Sequence, residues 1–225
     1  MIVKLIVQTL VIYAITAVLL FVAAGTWRWP QAWIFVIEMA ATGIAVGVWL
    51  ARHDPGLMAE RMSSPIQRSQ AAADKLVMLI VMVGWPAWLV FLALDAVRFR
   101  LSHLPVWVQL LGALLILVGM YAFYRTFREN SFAAPVVKVQ KERGQRVVDS
   151  GPYAIVRHPM YAGAGLLFFG VPMLLGSGWG LALAPAWYLL FALRIGFEER
   201  VLRENLAGYD DYVRRVRYRL VPGIW

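Results

Sequence analysis

The chain has 225 residues, of which 61% are hydrophobic and only 16% are charged, and its net charge is +9. A soluble domain normally carries about 25% charged residues, so this composition excludes an ordinary soluble protein and predicts one polytopic membrane domain. The chain contains no cysteine, which excludes disulfides, thiolate metal sites and a cysteine nucleophile. The basic excess is typical of membrane-protein loops, and without an aromatic-basic module we expect no nucleic-acid partner.

Six apolar runs define the predicted helices. A transmembrane helix needs about 20 mainly apolar residues, and the runs predict an all-α membrane bundle with spans at residues 5–24, 31–51, 75–97, 104–124, 160–176 and 179–195. Pro86 predicts a kink in the third span. The last two runs have 17 residues each and are joined by "GSGWG", so we expect a tight helical hairpin. Residues 125–157 and 198–225 are too polar to span.

The basic residues are unevenly distributed between the two sides of this six-span arrangement. Nineteen of the 22 Lys and Arg residues fall on the side of the N-terminus, and only Arg28, Arg98 and Arg100 fall on the other side. Lys and Arg are concentrated in the cytoplasmic loops of membrane proteins. The distribution therefore predicts that both termini and both long polar segments are cytoplasmic.

Four polar segments would meet at the cytoplasmic face. They are "KVQKERGQRVVDSGPY", "RHPMY", "RIGFEERVL" and "GYDDYVRRVRYRLVPGIW". A structural interpretation is open for each: His158-Pro159 is a suitable helix start, and Glu198 and Glu199 have arginines at helical spacing. The tyrosines are also typical of an interfacial belt, and the arginines of contacts with lipid headgroups.

Two of these segments carry a family resemblance. "GPYAIVRHPMYAG", followed by "FEERVLRENLAGYDDYVRRVRYRLVPGIW", resembles the isoprenylcysteine carboxyl methyltransferase family, and most closely its short prokaryotic-type members. "HDPGLMAERM", after the second span, is a weaker similarity. The resemblance implies an integral membrane enzyme that uses S-adenosyl-L-methionine and methylates a lipophilic acceptor in the bilayer. One domain would contain four spans in residues 1–124 and the cofactor-binding catalytic region in residues 125–225.

The same resemblance implies the site residues. The expected cofactor contacts are Gln140, Gln145, Arg146, Val147, Val148, Tyr153, His158, Pro159, Met160, Tyr161 and Glu199. The family has a substrate-contacting arginine just before an acidic pair, and here the nearest is Arg194. We expect Arg194, Glu198 and His158 to carry the catalytic roles, with His158 as the base if the acceptor is a thiol or an amine.

The chemistry of these side chains suits that cofactor. A carboxylate such as Glu199 can bind its ammonium or ribose hydroxyls, and tyrosine rings can face its sulfonium. No GxGxxG sequence follows a strand, so we expect no Rossmann domain. His53, His103 and His158 fall in separate segments, so no metal site is expected.

Other functions remain open at this point. Within the methyltransferase interpretation, the acceptor is a carboxylate of isoprenylcysteine type or, alternatively, a phospholipid or a small thiol or amine. The other class is a non-enzymatic membrane transporter or assembly protein. A transporter normally has ionisable residues within its spans, and here Glu38 is the main example. The remaining charges gather at one face, which favours an interfacial active site.

Overall fold

The structure is a computed structural model that describes residues 1–67, 70 and 72–225. Helices, short 3₁₀ turns and loops account for all of these residues, which confirms the all-α prediction. The α-helices are α1 (Ile2–Ala24), α2 (Pro30–His53), α3 (Pro55–Arg61), α4 (Ala72–Ala93), α5 (Val106–Glu129), α6 (Pro159–Leu175), α7 (Gly178–Asn205) and α8 (Tyr209–Arg215). Arg68, one of the basic residues counted towards the cytoplasmic side, lies outside the described residues.

The apolar helices follow the six predicted spans. Five segments are long and apolar enough to cross a membrane: α1, α2, α4 with its π-helical extension Leu94–Arg98, α5 and α7. The sixth, α6, is apolar but has only 17 residues, which corresponds to about 26 Å of helix. Pro86 lies inside α4 without ending it.

Two predicted boundaries were wrong. α5 continues to Glu129, beyond residue 124. α7 has 28 residues instead of 17 and continues to Asn205, so Glu198 and Glu199 lie within this helix and not beyond its end. Hydropathy predicted an end at the first cluster of charges, but charged residues do not end a helix when other segments satisfy them. The end comes where Leu206 adopts an extended conformation, shortly before Gly208 with its φ of 82°.

α5 and α6 pack with their backbones in close approach. A Cβ atom added at Gly112 would lie 2.7 Å from the carbonyl oxygen of Gly170, and one added at Gly119 would lie 2.9 Å from that of Gly163. Real Cβ contacts are essentially never under 3.0 Å, so a larger residue requires the helices to move apart. Small residues are the usual means of close helix packing in membranes.

The predicted hairpin between α6 and α7 is tight. Gly176 ends α6 with a left-handed conformation, and the Ser177 side chain caps α7 by accepting from the Gly180 N–H. Ser177 Oγ also donates to Asp95 Oδ2 over 2.5 Å, and Ser102 Oγ donates to the same oxygen over 2.6 Å. The buried Asp95 carboxylate therefore ties the hairpin turn to the end of α4.

At the opposite end of the hairpin, the C-terminal tail lies against the start of α6. The Arg157 N–H donates to the Tyr218 carbonyl over 2.9 Å, and the His158 N–H donates to that of Arg219 over 3.0 Å. The tail therefore reaches the "RHPMY" segment through backbone hydrogen bonds, which confine it beside α6.

Candidate active site

A cavity lies between the loop that follows α5, the start of α6, the end of α7, and α8. Nine of the predicted site residues line it: Gln145, Arg146, Val147, Val148, Tyr153, His158, Met160, Tyr161 and Glu198. Sequence reasoning missed other lining residues, among them Asn130, Lys138, Leu202, Tyr209 and Tyr212. Among the described residues, the wall combines one carboxylate, several tyrosines and aliphatic side chains with the basic side chains of Lys138, Arg146 and Arg157. Tyr209 and Tyr212 belong to the "GYDDYVRRVRYRL" segment. The sequence predicted that this segment lies near the site, but it did not predict that these two side chains line the cavity.

Glu199 joins three segments behind this cavity. Its Oε1 accepts from Arg157 Nε over 2.7 Å and lies 3.2 Å from His158 Nε2. Its Oε2 accepts from Arg219 Nε and Nη2, over 3.1 and 2.9 Å. The hydrogen-bonded contact between Glu199 and His158 confirms the expectation that the start of α6 and the end of α7 meet. Because both oxygens are engaged by this chain, Glu199 holds α6, α7 and the tail together.

Tyr161 and Glu198 form a hydrogen-bonded pair in the cavity wall. The Tyr161 hydroxyl donates to Glu198 Oε2 over 2.5 Å, and the Tyr161 ring stacks on His158 with a centroid distance of 5.7 Å. Glu198 and Glu199 are neighbours on α7 but have different surroundings. The first faces the cavity, whereas the second is 3% exposed and does not line it.

A second tyrosine group closes the cavity from the side of the loop and α8. Asn130 Nδ2 donates to the Tyr153 hydroxyl over 2.8 Å, and the Tyr212 hydroxyl donates to the Tyr153 carbonyl over 2.8 Å. Burial raises the pKa of the Tyr153, Tyr209 and Tyr212 hydroxyls above the usual value, so all three are neutral at physiological pH. The Tyr209 hydroxyl is buried without a hydrogen-bond partner among the described residues.

Four predicted site residues do not line the cavity. They are Gln140, Pro159, Arg194 and Glu199. Gln140 is fully buried, and its amide donates to the Phe132 carbonyl while its backbone N–H donates to Gln145 Oε1. It therefore shapes the loop that carries Gln145. Pro159 is buried as the first residue of α6, where its ring suits the helix start.

Arg194 is held by an ion pair that sequence reasoning missed. Its Nε donates to Asp74 Oδ1 over 2.8 Å, and its Nη2 donates to the Pro135 carbonyl over 2.6 Å. The other Asp74 oxygen accepts from Gln70 Nε2 over 2.5 Å and from the Val137 N–H over 3.1 Å. This pair connects α4, α7 and the loop, and it leaves Arg194 beside the cavity with its ring contact to Tyr161, 5.7 Å from Cζ to the centroid.

Residues 107–208 match the phospholipid methyltransferase family. The chain is 27% identical over 143 residues to protein-S-isoprenylcysteine O-methyltransferase B of Arabidopsis thaliana, which covers 63% of this chain and 70% of that protein. The chain is 32% identical over 149 residues to methanethiol S-methyltransferase 2 of Bradyrhizobium diazoefficiens, and the aligned segment covers 65% of this chain and 47% of that protein.

A reductase is also similar to this chain. The Delta(14)-sterol reductase of Mus musculus is 28% identical over 169 residues, which covers 65% of this chain and 38% of that protein. The chain thus spans less than two thirds of two of these three relatives. The fold and the matched segment define a polytopic helical protein related to membrane-bound methyltransferases. The resemblance to the isoprenylcysteine carboxyl methyltransferase family, predicted from "RHPMY" and the acidic pair, is confirmed.

Proposed function

We propose that this protein transfers a methyl group from S-adenosylmethionine to a lipophilic acceptor in the membrane, and that the acceptor is a carboxylate of isoprenylcysteine type. The observation that carries the proposal is the cavity at the open end of the α6–α7 hairpin, lined by nine of the residues that the family resemblance assigned to the cofactor and to catalysis. The match of residues 107–208 to a methyltransferase family supports it.

The lining residues suit the cofactor chemically. The Glu198 carboxylate can pair with the cofactor's ammonium or sulfonium charge, and the Tyr153 and Tyr161 rings can face a cation. The Tyr209 hydroxyl is a buried donor without a hydrogen-bond partner among the described residues, which fits a hydroxyl or carboxylate of a ligand. We assign Glu199 and Arg194 to positioning, because their polar atoms bind Arg157, Arg219 and Asp74.

S-adenosylmethionine supplies an electrophilic methyl carbon on a positively charged sulfur. A carboxylate acceptor is already ionised at neutral pH, and its oxygen forms the new O–CH₃ bond as the sulfur keeps the electron pair of the broken bond. No proton moves, so the chain's residues orient the two partners and exclude water. His158 would accept a proton only for a thiol or amine acceptor. The biased distribution of Lys and Arg supports a cytoplasmic position for this site.

The similarity to a sterol reductase favours one other candidate, the reduction of a membrane isoprenoid by a hydride donor. Calorimetry on the purified protein in detergent distinguishes the two. We expect binding of S-adenosylmethionine, weakened by about 1–3 kcal/mol in His158→Ala and in Glu198→Gln. Glu142→Gln, an exposed change in the same loop, is the control. Binding of NADPH without S-adenosylmethionine would overturn the proposed function, and unchanged affinity in both variants would overturn the site.

A further inference from the structure

A second cavity opens beside the first, among the membrane-spanning helices. This groove has a volume of about 780 Å³, within the range of about 300–1,000 Å³ that small-molecule sites occupy. Its wall is mainly apolar and is formed by α1, α2, α3, α5 and one residue of α6, with Leu5, Val11, Met39, Val46, Met120 and Phe123 among the lining residues. Val11 and Ile12 on its rim are 51% and 58% exposed, so the groove opens towards the lipid.

Among the described residues, Arg61 is the one cation that lines this apolar groove. Its Nη1 donates to the Ala133 carbonyl over 2.9 Å, and its Cζ lies 4.1 Å from the centroid of the Phe127 ring. No carboxylate pairs with it among the described residues, whereas Arg157 and Arg194 are paired with Glu199 and Asp74. Burial lowers the pKa of the Arg61 guanidinium to about 10, which still leaves it charged at neutral pH.

Arg61 also lies where the groove meets the candidate active site. Its two nearest polar partners, the Ala133 carbonyl and Met160 Sδ at 3.7 Å, belong to residues that line the active-site cavity. A guanidinium has five N–H donors, and the hydrogen bonds that Arg61 makes to described residues engage only those on Nη1. The remaining donors can bind an anion that enters from the groove. A charge without a counterion in an apolar wall is costly, so an anionic ligand compensates it.

We propose that the groove holds the apolar tail of the methyl acceptor and that Arg61 binds its anionic head, so that the acceptor is a long-chain carboxylate presented next to Met160 and Tyr161. The inference rests on the proposed function and assigns the groove and the cation that bind its acceptor. It also moves the role of anion binding from Arg194, which Asp74 already neutralises, to Arg61. A membrane phospholipid with its phosphate at Arg61 is the competing occupant.

Equilibrium binding of a radiolabelled acid and its neutral ester tests this assignment. The probes are N-acetyl-S-farnesylcysteine and its methyl ester, added to the full chain in detergent. We expect the wild type to prefer the acid by about tenfold or more, and Arg61→Gln to lose about 10–100-fold in affinity for the acid while binding the ester as before. Arg61→Lys retains part of the preference. Arg52→Gln removes a nearby exposed charge and leaves the preference unchanged.

Filling the groove provides a second test. A Cβ at Gly43 would meet only Thr9, at 3.9 Å, so Gly43→Leu fits the fold and occupies the groove. We expect it to weaken both probes, whereas Gly196→Leu, at an open position, weakens neither. An acid preference that survives Arg61→Gln, or unchanged binding in Gly43→Leu, overturns the proposal. The proposal is also overturned if a phospholipid co-purifies with the wild type, is absent from Arg61→Gln, and is not displaced by the acid, because the phospholipid is then the occupant of the groove.

Calorimetry with S-adenosylmethionine on the same variants separates this inference from the proposed function. Arg61-dependent binding of the acid without cofactor binding would overturn the methyltransferase function and leave the Arg61 site standing. Cofactor binding with an acid preference that does not depend on Arg61 would overturn the Arg61 site and leave the methyltransferase function standing.

Discussion

Arg157 and Glu199 form an ion pair with 2.7 Å between Nε and Oε1, and the exposed fraction of each side chain is 4%. Arg157 Nη1 also donates to the Val216 and Arg217 carbonyls, over 2.7 Å each. The pair therefore fixes the tail against the start of α6 behind the candidate active site. Pairs of this kind matter mainly because losing one partner leaves a buried charge without compensation.

The first prediction concerns Glu199. Glu199→Gln leaves Arg157 buried and facing a neutral amide, so we expect the free energy of unfolding in detergent to fall by about 3 kcal/mol. Asp210→Asn is the matched control, because it breaks the exposed pair with Arg203, where the side chains are 58% and 43% exposed, and should cost less than about 1 kcal/mol. Equal losses in the two variants would show that Glu199 does not hold the tail.

The second prediction concerns the Asp74–Arg194 pair. Asp74→Asn and Arg194→Gln each leave a buried polar partner unsatisfied, so we expect both to lower the free energy of unfolding. The double variant should lose less than the sum of the two, with a coupling energy of about 1–3 kcal/mol. Denaturant unfolding of the four proteins measures this cycle. Additive losses would mean that the two side chains do not interact in the membrane protein.

The third prediction concerns the α5–α6 contact. Gly112→Ala places a methyl group 2.7 Å from the Gly170 carbonyl oxygen and 2.8 Å from Met173 Cβ, so the helices must separate. We expect a clear fall in the thermal midpoint, because overpacking typically costs about 1–3 kcal/mol. Gly196→Ala has no neighbour within 4 Å and should not lower the midpoint, because alanine is the better helix former. A midpoint for Gly112→Ala equal to that of wild type would contradict the packing described.

The fourth prediction concerns stability above pH 10. Burial raises the pKa of Tyr209 above its usual value of about 10, so above that pH the unfolded chain has lost a proton that the folded chain retains. The free energy of unfolding therefore falls as the pH rises through 10. Thermal midpoints at pH 9 to 11 should fall less steeply in Tyr209→Phe than in wild type. The exposed tyrosine Tyr218 provides the control, and Tyr218→Phe should keep the wild-type slope.

The spans and the main motifs of the site were predictable from the sequence. Apolar runs are a direct consequence of the lipid solvent, and the starts and ends of α1 and α2 followed them within a few residues. "RHPMY" and the acidic pair were assigned to the site through the family resemblance, since their position at the end of apolar helices alone also allowed a structural interpretation. The end of α7 was not predictable, since it depends on which partners satisfy Arg194 and Glu199.

Single charged residues with distant partners were the features that the sequence concealed. Asp74 lies near the start of α4 and meets Arg194, 120 positions later, and no local pattern indicates that pairing. Arg61 belongs to "HDPGLMAERM", which was noticed only as a weak similarity. Arg61 lies between two cavities because α3 packs on α5 and on the loop that follows α5. These are tertiary contacts, which the periodicity of a sequence does not predict.

Transfer of tritiated methyl groups measures the proposed reaction itself. The purified protein in lipid vesicles is given methyl-tritiated S-adenosylmethionine and N-acetyl-S-farnesylcysteine, and the lipid product is treated with base. We expect label in the farnesylated product that base releases as volatile methanol, since only an ester is cleaved in this way. His158→Ala should give less label at a limiting cofactor concentration, because its cofactor binding is weakened. Label that resists base, or no transfer alongside NADPH-dependent reduction of a sterol, would contradict the proposed reaction.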